Sequence, residues 1–392
     1  MADESKTPFI AALQQADAAK ISTLLAPPLK VEIDGLKIQK TEGERFTGGK
    51  STPIWKLSFT ATRGGRSREM KLVVKWVKLS DPKVEFRRET YNNEKHFYHS
   101  ASKTVRKYCA IPHLVLDEHT ATDVCFVLSD ISVDYPLHPD VLTIPQAQTA
   151  LRWLARFHAL FWEADSAGGG FPEGMWPSGD YWGLTKKDNM DALDYVAKSL
   201  HSSMKVLKTH SVWDEVKNLG SRLAAAASAL DANLRKSKGF VRNRTLIHGD
   251  FKTANFFLKE AEDGSSEAAV LDFEMSGPGL AAVDLAYFLL PDLRMNLMDQ
   301  EMDLLAFYHE ALMTELDERG AASDFSLETL RAHYRAARCD YFRYTLGRGW
   351  TAVSQGDANL VRQVHQDMTL YDGGKELSAE EYQDAVARAF AA

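Results

Sequence analysis

The chain has 392 residues, 45% of them hydrophobic, enough to bury more than one core. A formal net charge of −7 without any Lys/Arg block argues against nucleic acid as a main partner, and no apolar run approaches the roughly twenty residues of a membrane span. Three scattered cysteines, Cys109, Cys125 and Cys339, form neither a disulfide framework nor a zinc pattern and fit a reducing, cytoplasmic setting.

From the amino terminus, residues 1–26 lack the basic-then-apolar plan of a signal peptide, and 9–25 is predicted to form one amphipathic helix. Val31-Glu32-Ile33 and Leu36-Lys37-Ile38 read as two short strands. Residues 41–51 form a loop containing Gly43, Gly48 and Gly49, and the alternating segment 54–59 follows as a strand. Backbone N–H groups of such a loop can lie against phosphates, because glycine tolerates the dihedrals required. Gly49-Lys50-Ser51 suggests a P-loop, but that motif needs glycine five positions before Gly49, where Glu44 stands.

Lys75 falls inside the apolar strand 71–77, where an unpaired ammonium is costly. Glu94 is the favoured partner, because Tyr91, Phe97 and Tyr98 share its face of the next helix; Glu89 is held in reserve. The competing readings are an outward edge-strand lysine and a rim glutamate beside Lys95. Residues 125–131 form a buried strand running into a polar connection. Beyond it the chain turns helical, with Leu151, Leu154, Ala155, His158 and Phe161 at helix spacing and His158 read as a packed, hydrogen-bonded core histidine. The Gly-, Pro- and aromatic-rich segment 166–181 is either a lid or a surface loop. An amphipathic helix is predicted over 212–234.

The densest signal is His248-Gly249-Asp250-Phe251-Lys252-Thr253-Ala254-Asn255, followed by Leu271-Asp272-Phe273-Glu274. A short apolar strand enters at Thr245-Leu246-Ile247, another leaves at Phe256-Phe257-Leu258, and Ala269-Val270-Leu271 returns after the polar turn 259–268. Asp250 can take or orient a hydroxyl proton, while Asn255 and Asp272 offer hard oxygen ligands to Mg²⁺. That division of labour suits phosphoryl transfer from ATP, in which positioning and charge neutralisation supply most of the catalysis. The pattern resembles a kinase catalytic loop and metal-binding element, with Gly249 where protein kinases carry Arg and Glu274 where they carry Gly. Asp284 opens an apolar helix twelve positions after Asp272, placed to brace the loop. The segment 275–283 is too short for a peptide-binding platform, so a small molecule is the expected acceptor. Further helices are predicted over 299–316 and 330–350.

On these motifs the chain resembles the aminoglycoside phosphotransferase and choline kinase superfamily, and most closely its eukaryotic CHK kinase-like, ecdysteroid kinase-like branch. The resemblance implies an α+β, bilobal protein-kinase-like fold, with a small β-rich nucleotide-clamping lobe over 1–130 and a larger, mainly helical lobe over 131–392. It implies ATP and Mg²⁺ as cofactors and a small-molecule alcohol as acceptor. Asp250 takes the role of catalytic base, Asn255 and Asp272 those of metal ligands, and His248 that of loop brace. Lys75 and the loop with Gly48, Gly49 and Ser51 are assigned to the phosphates. Ser129 and Ile131 are assigned to adenine through backbone groups, although a plain core strand explains the same residues. Lys252 either approaches the γ-phosphate or faces solvent. Glu274 either nears the metal or pairs locally. Asp340, Tyr344 and Trp350 are candidate acceptor contacts. A nucleotide-binding pseudokinase scaffold is the main alternative, with a protein kinase further behind. Choline, aminoglycosides, steroids and other alcohols stay open, although the Asn-Tyr pair of choline kinases is not evident in 275–279.

Overall fold

The computed structural model describes residues 7–41, 54–79, 87–165, 170–186, 189–206, 213–235, 242–290, 300–321, 323–349 and 358–391. Gly43, Gly48, Gly49, Ser51 and Trp350 lie outside them. The chain divides into two compact units: Met1–Asp140 with Pro172–Gly174 and Thr253–Glu274, and Val141–Phe171 with Met175–Lys252 and Met275–Ala392.

The first unit is built on five strands: β1 (Glu32–Thr41), β2 (Ile54–Arg63), β3 (Arg66–Lys78), β4 (Leu114–His119) and β5 (Asp123–Ser129). They form one antiparallel sheet in the order β1-β2-β3-β5-β4. Leu72, Val74 and Trp76 alternate into the core with Leu57, Phe59 and Ala61 of β2. The helices Pro8–Gln14 and Ala18–Leu29 cover that face through Phe9, Ile10, Leu13, Ile21 and Leu25. Alternation puts Val73 and Lys75 on the opposite face. Two local expectations need correction. The single helix over 9–25 is broken, because Ala16 turns left-handed (φ 51°) and Asp17 caps the second helix by accepting the Lys20 N–H at 3.0 Å. The two strands at 31–33 and 36–38 are one strand, interrupted by an irregularity between Asp34 and Lys37 where Gly35 has φ 64°.

The hairpin of β7 (Phe256–Glu260) and β8 (Ser266–Val270) belongs to this unit. Leu258 exchanges backbone hydrogen bonds with Leu137, and the Val270 N–H donates to Ala110 O at 3.1 Å. These bonds draw 253–274 into the first unit, whereas the expected boundary at residue 130 put that stretch in the second.

The second unit is mainly helical. Its longer helices are Ile144–Ala159, Leu193–Val206, Leu219–Arg235, Ala281–Leu289, Glu301–Glu318, Leu327–Gly347, Ala358–Asp372 and Ala379–Ala391. A reciprocal capping box of Thr143 and Gln146 starts the first of them. One short antiparallel pair, β6 (Arg244–Ile247) with β9 (Gly277–Leu280), runs through it. The fold is thus α+β and bilobal, of protein-kinase-like kind, with a small β-rich lobe and a larger helical one.

Candidate active site

Lys75 sits at the centre of the first unit's polar cluster. Its Nζ lies 2.8 Å from Glu94 Oε2, 2.8 Å from Asp272 Oδ1 and 3.5 Å from Glu274 Oε2. Burial opposes its charge, but Asp272, Glu94 and Glu274 together outweigh that and hold the ammonium well above the usual lysine range. One carboxylate oxygen from each of the three acids falls within 4.8 Å of the others. Burial above all, helped by Asp272 and Glu274, pushes Glu94 up to about 7 against the pull of Lys75. Arg87 supplies the second cation by pairing with Glu274, and both Lys75 and Arg87 sit 5.3 Å from the Tyr91 ring centroid. Three acids therefore share two cations.

The backbone explains the convergence. Glu94 points inward from the helix Arg88–His96, whose Asn93 donates to Glu274 O at 3.1 Å. The following π-helical turn Phe97–Ala101 stacks Phe97 on Phe273 at 3.8 Å and 5°. Asp272 itself is left-handed, with φ 70°, a conformation that costs a non-glycine residue about 1 kcal/mol or more and that surrounding contacts must enforce. Asn255 is fully buried, and its carbonyl accepts the Leu271 N–H at 2.9 Å, which ties the two ends of the hairpin together.

Beside the cluster lies a slot lined by Ile54, Val73, Pro112, Ile131, Phe257 and Leu271, with Lys75 and Asp272 at its polar end. Ser129 closes β5 there. Its N–H donates to His113 O at 2.9 Å, and its Oγ rather than its carbonyl takes the His113 N–H at 2.8 Å. The Ile131 carbonyl accepts from Asp134 and Tyr135, so what Ile131 has to offer a ligand is its N–H.

In the second unit, β6 ends at Ile247 and the loop that follows is clamped by Asp284. Its Oδ2 accepts the His248 N–H at 2.7 Å, and its Oδ1 accepts the Gly249 N–H at 2.8 Å. His158 Nε2 lies 3.1 Å from the same Oδ2, and His158 Nδ1 lies 2.6 Å from the Tyr308 hydroxyl, a fully buried chain. His248 Nδ1 accepts the Asp250 N–H at 3.2 Å. A Cβ at Gly249, with φ 80°, would stand 2.1 Å from Met275 O, so no side chain fits where protein kinases carry Arg. Phe251 anchors the loop by packing on Trp153 and Phe288.

Asp250 is 5% exposed, and Lys252 Nζ reaches both its oxygens at 3.0 and 2.9 Å. The Tyr181 hydroxyl donates to that of Tyr287 at 2.8 Å. Burial and then the Asp250 charge raise both phenols well above the usual range, so they stay protonated. Tyr344 packs edge-on against Tyr181 at 5.6 Å and 82°, and is itself 5% exposed.

Asp340 requires a correction. It is fully buried, 2.7 Å from Arg235 and 2.7 Å from Arg343, and so is a counter-ion of the core instead of an acceptor contact. Arg235 also holds Asp180, whose other oxygen caps the Trp182 and Gly183 N–H groups. The segment ending at residue 181 is tied down at that end, because Gly179 donates to Pro278 O and Asp180 donates to Met275 O, each at 2.9 Å. Sequence reasoning missed Arg87, Tyr181 and Tyr287. Tyr287 lies three positions after Asp284 on one helix and shares its face, a signal present in the sequence. Arg87 gives no comparable sign.

The sequence model of the ecdysteroid kinase-like family matches residues 51–320. No curated protein sequence matches the chain. Among solved structures it is similar to a microcompartment-associated aminopropanol kinase, at 12% identity and TM-score 0.47 over 93% of this chain and 98% of that one. A choline kinase from Streptococcus pneumoniae follows at 15% identity and TM-score 0.41, covering 97% and 99%. An ethanolamine kinase from Plasmodium vivax shows 12% identity and TM-score 0.44, covering 87% and 84%.

Proposed function

Because the chain belongs to the ecdysteroid kinase-like family, we propose that it is an ATP- and Mg²⁺-dependent phosphotransferase acting on a hydroxyl of a small molecule. The observation that carries this reading is the Lys75–Glu94–Asp272 constellation at the end of an apolar slot. A planar base fits between apolar walls, with the Ser129 carbonyl and the Ile131 N–H as its polar edge. Lys75 then serves the α- and β-phosphates, held in place by Glu94. Asp272 and Asn255 are hard oxygen donors that suit Mg²⁺, and Glu274, already paired with Arg87, stands next to them. When bound, the ion neutralises phosphate charge. The acids that crowd Lys75 carry more negative charge than the two cations cancel, which fits a further cation. Gly48, Gly49 and Ser51 are proposed to cover the phosphates.

Asp250 is the proposed base. The acceptor oxygen forms a bond to the γ-phosphorus as the bond to ADP breaks, and the hydroxyl proton passes to the Asp250 carboxylate. Lys252, bound to that carboxylate, moves to the transferred phosphoryl group as Asp250 receives the proton. His248 positions the loop through the Asp250 N–H. An uncharged alcohol is the favoured acceptor, because Asp180 and Asp340 are already neutralised by Arg235 and Arg343 and so offer nothing to a cationic head group. Tyr344 and Trp350 stay candidates for the acceptor wall. A cytoplasmic setting, where ATP is available, accords with three buried cysteines, Cys109, Cys125 and Cys339, scattered along the chain. Among the described residues no helix is long and apolar enough to cross a membrane.

An ATP-consumption screen over neutral and cationic alcohols, with and without Mg²⁺, tests the reading. Asp250→Asn is expected to keep nucleotide affinity by calorimetry while turnover falls by about 10²–10⁴-fold. Asp272→Ala is expected to lose the Mg²⁺-dependent part of nucleotide binding. Mg²⁺-nucleotide binding without consumption for any acceptor would leave the pseudokinase reading in its place.

A further inference from the structure

A second cavity lies within the helical unit, far along the chain from the motifs above. It opens where the helices Leu327–Gly347, Ala358–Asp372 and Ala379–Ala391 meet, and measures about 230 Å³. Its walls are largely apolar, from Ala332, Leu370, Tyr371, Ala389 and Phe390. Leu370 is 68% exposed at its edge, an unusual position for a large aliphatic side chain. The polar rim is satisfied from within: the Ser326 and Thr329 hydroxyls bond at 2.8 Å, and Glu328 pairs with Arg335 at 3.2 Å.

His333 is different. It lines the cavity, is only 5% exposed, and its ring makes no hydrogen bond or ion pair with any described residue. Phe390 stacks on the ring at 4.9 Å and 21°, and Phe325 tilts against it at 5.9 Å. Apolar neighbours thus pack on the ring, and the cavity lies beside it. A molecule in the cavity that bonds to the ring gains a hydrogen bond worth about 1 kcal/mol, one that no described residue supplies.

We propose that this cavity binds a small uncharged ring compound, aromatic or alicyclic, that presents one hydroxyl or carbonyl group to His333. Size agrees, since an engineered apolar cavity of about 150 Å³ already takes benzene. Charge agrees too. The rim acid Glu328 is shared by Arg335 and Arg331, at 3.2 and 3.7 Å, and burial lowers His333 to about 4, so the imidazole is neutral near pH 7 and can donate or accept. A carboxylate or an ammonium would have to leave water for largely apolar walls, which disfavours either ion. The site is separate from the phosphotransfer residues, and its occupancy needs neither nucleotide nor metal.

The full chain, free of nucleotide, is titrated with phenol, benzene and benzoate by calorimetry, with saturation-transfer NMR as a second readout. Phenol is expected to bind more tightly than benzene, and benzoate not to bind. His333→Phe keeps the ring packing and is expected to weaken phenol about tenfold, the size of one hydrogen bond, while leaving benzene unchanged. Ala332→Phe, at a half-buried wall position, is expected to abolish both. Undiminished phenol binding in His333→Phe would overturn the hydrogen-bond assignment. Should that variant not fold, Ala332→Phe decides alone: phenol binding that survives there overturns the site.

Discussion

Lys75 meets three carboxylates in the first unit. It holds Glu94 and Asp272 at 2.8 Å, and these share their surroundings with Glu274. Replacing it with methionine keeps the stem and deletes the charge, leaving buried acids without their common partner. Removing one member of such a cluster typically costs about 3–5 kcal/mol. Lys75→Met is therefore expected to melt well below the parent in chelator. Mg²⁺ is expected to recover more stability for the variant than for the parent, because the freed carboxylates then bind the ion. Equal melting temperatures in chelator would show that the cluster is not charged as drawn. Gly249 makes a steric counterpart. Its left-handed backbone and the 2.1 Å approach to Met275 O predict that Gly249→Ala loses more than about 1 kcal/mol and displaces the Asp250 loop, measurable by melting and by turnover.

Among elements, the Ala281–Leu289 helix matters most to the loop, through Asp284. That carboxylate satisfies the His248 and Gly249 N–H groups and meets His158, all fully buried or nearly so. Asp284→Ala strands two backbone donors and one imidazole, so a loss of at least about 2–4 kcal/mol is expected, with turnover falling while nucleotide affinity in the first unit is kept. Asp284→Asn retains one acceptor and should lie between. If Asp284→Ala melts like the parent, the clamp is not what holds the loop.

Much of this was legible because the chemistry is local. The hairpin 256–270, the inward Glu94 and the packed His158 follow from alternation, helix spacing and burial rules that act over a few residues. What the sequence hid depends on partners far away in the chain. Asp340 looks like an available acid until Arg235, on a distant helix, is seen to hold it, although Arg343, three residues on along its own helix, was within reach of helix spacing. The pairing of β6 with β9 joins 244–247 to a Gly-Pro-Gly stretch that carries no strand signal of its own. The break at Ala16 is a single left-handed residue in a segment whose apolar pattern continues unbroken on both sides.

For the whole molecule, histidines whose proton affinity burial lowers contribute to the response to acid, and His119 and His333 are one such group in each unit. In the first unit, burial and the nearby Lys95 lower His119 to about 4, while Asp117 at 3.5 Å opposes them weakly. In the second, burial alone lowers His333 to about 4. Both are neutral in the folded and unfolded chain above the ordinary histidine value near 6.5. As pH falls below that value, the unfolded imidazole takes a proton that the folded one refuses until about pH 4. The unfolded state then binds more protons, so stability decreases with falling pH across this window and levels off below it. For His333 the span corresponds to about 3 kcal/mol. The His333 contribution to stability is therefore expected to fall from pH 6.5 to 4, against an opposite contribution from Glu94, whose raised carboxyl takes up its proton first in the folded chain. His333→Phe removes one titrating group while keeping the stack on Phe390, so its melting temperature should depend less on pH over that interval. A variant whose acid profile runs parallel to that of the parent would mean that His333 already accepts its proton in the folded chain, through a partner or through water.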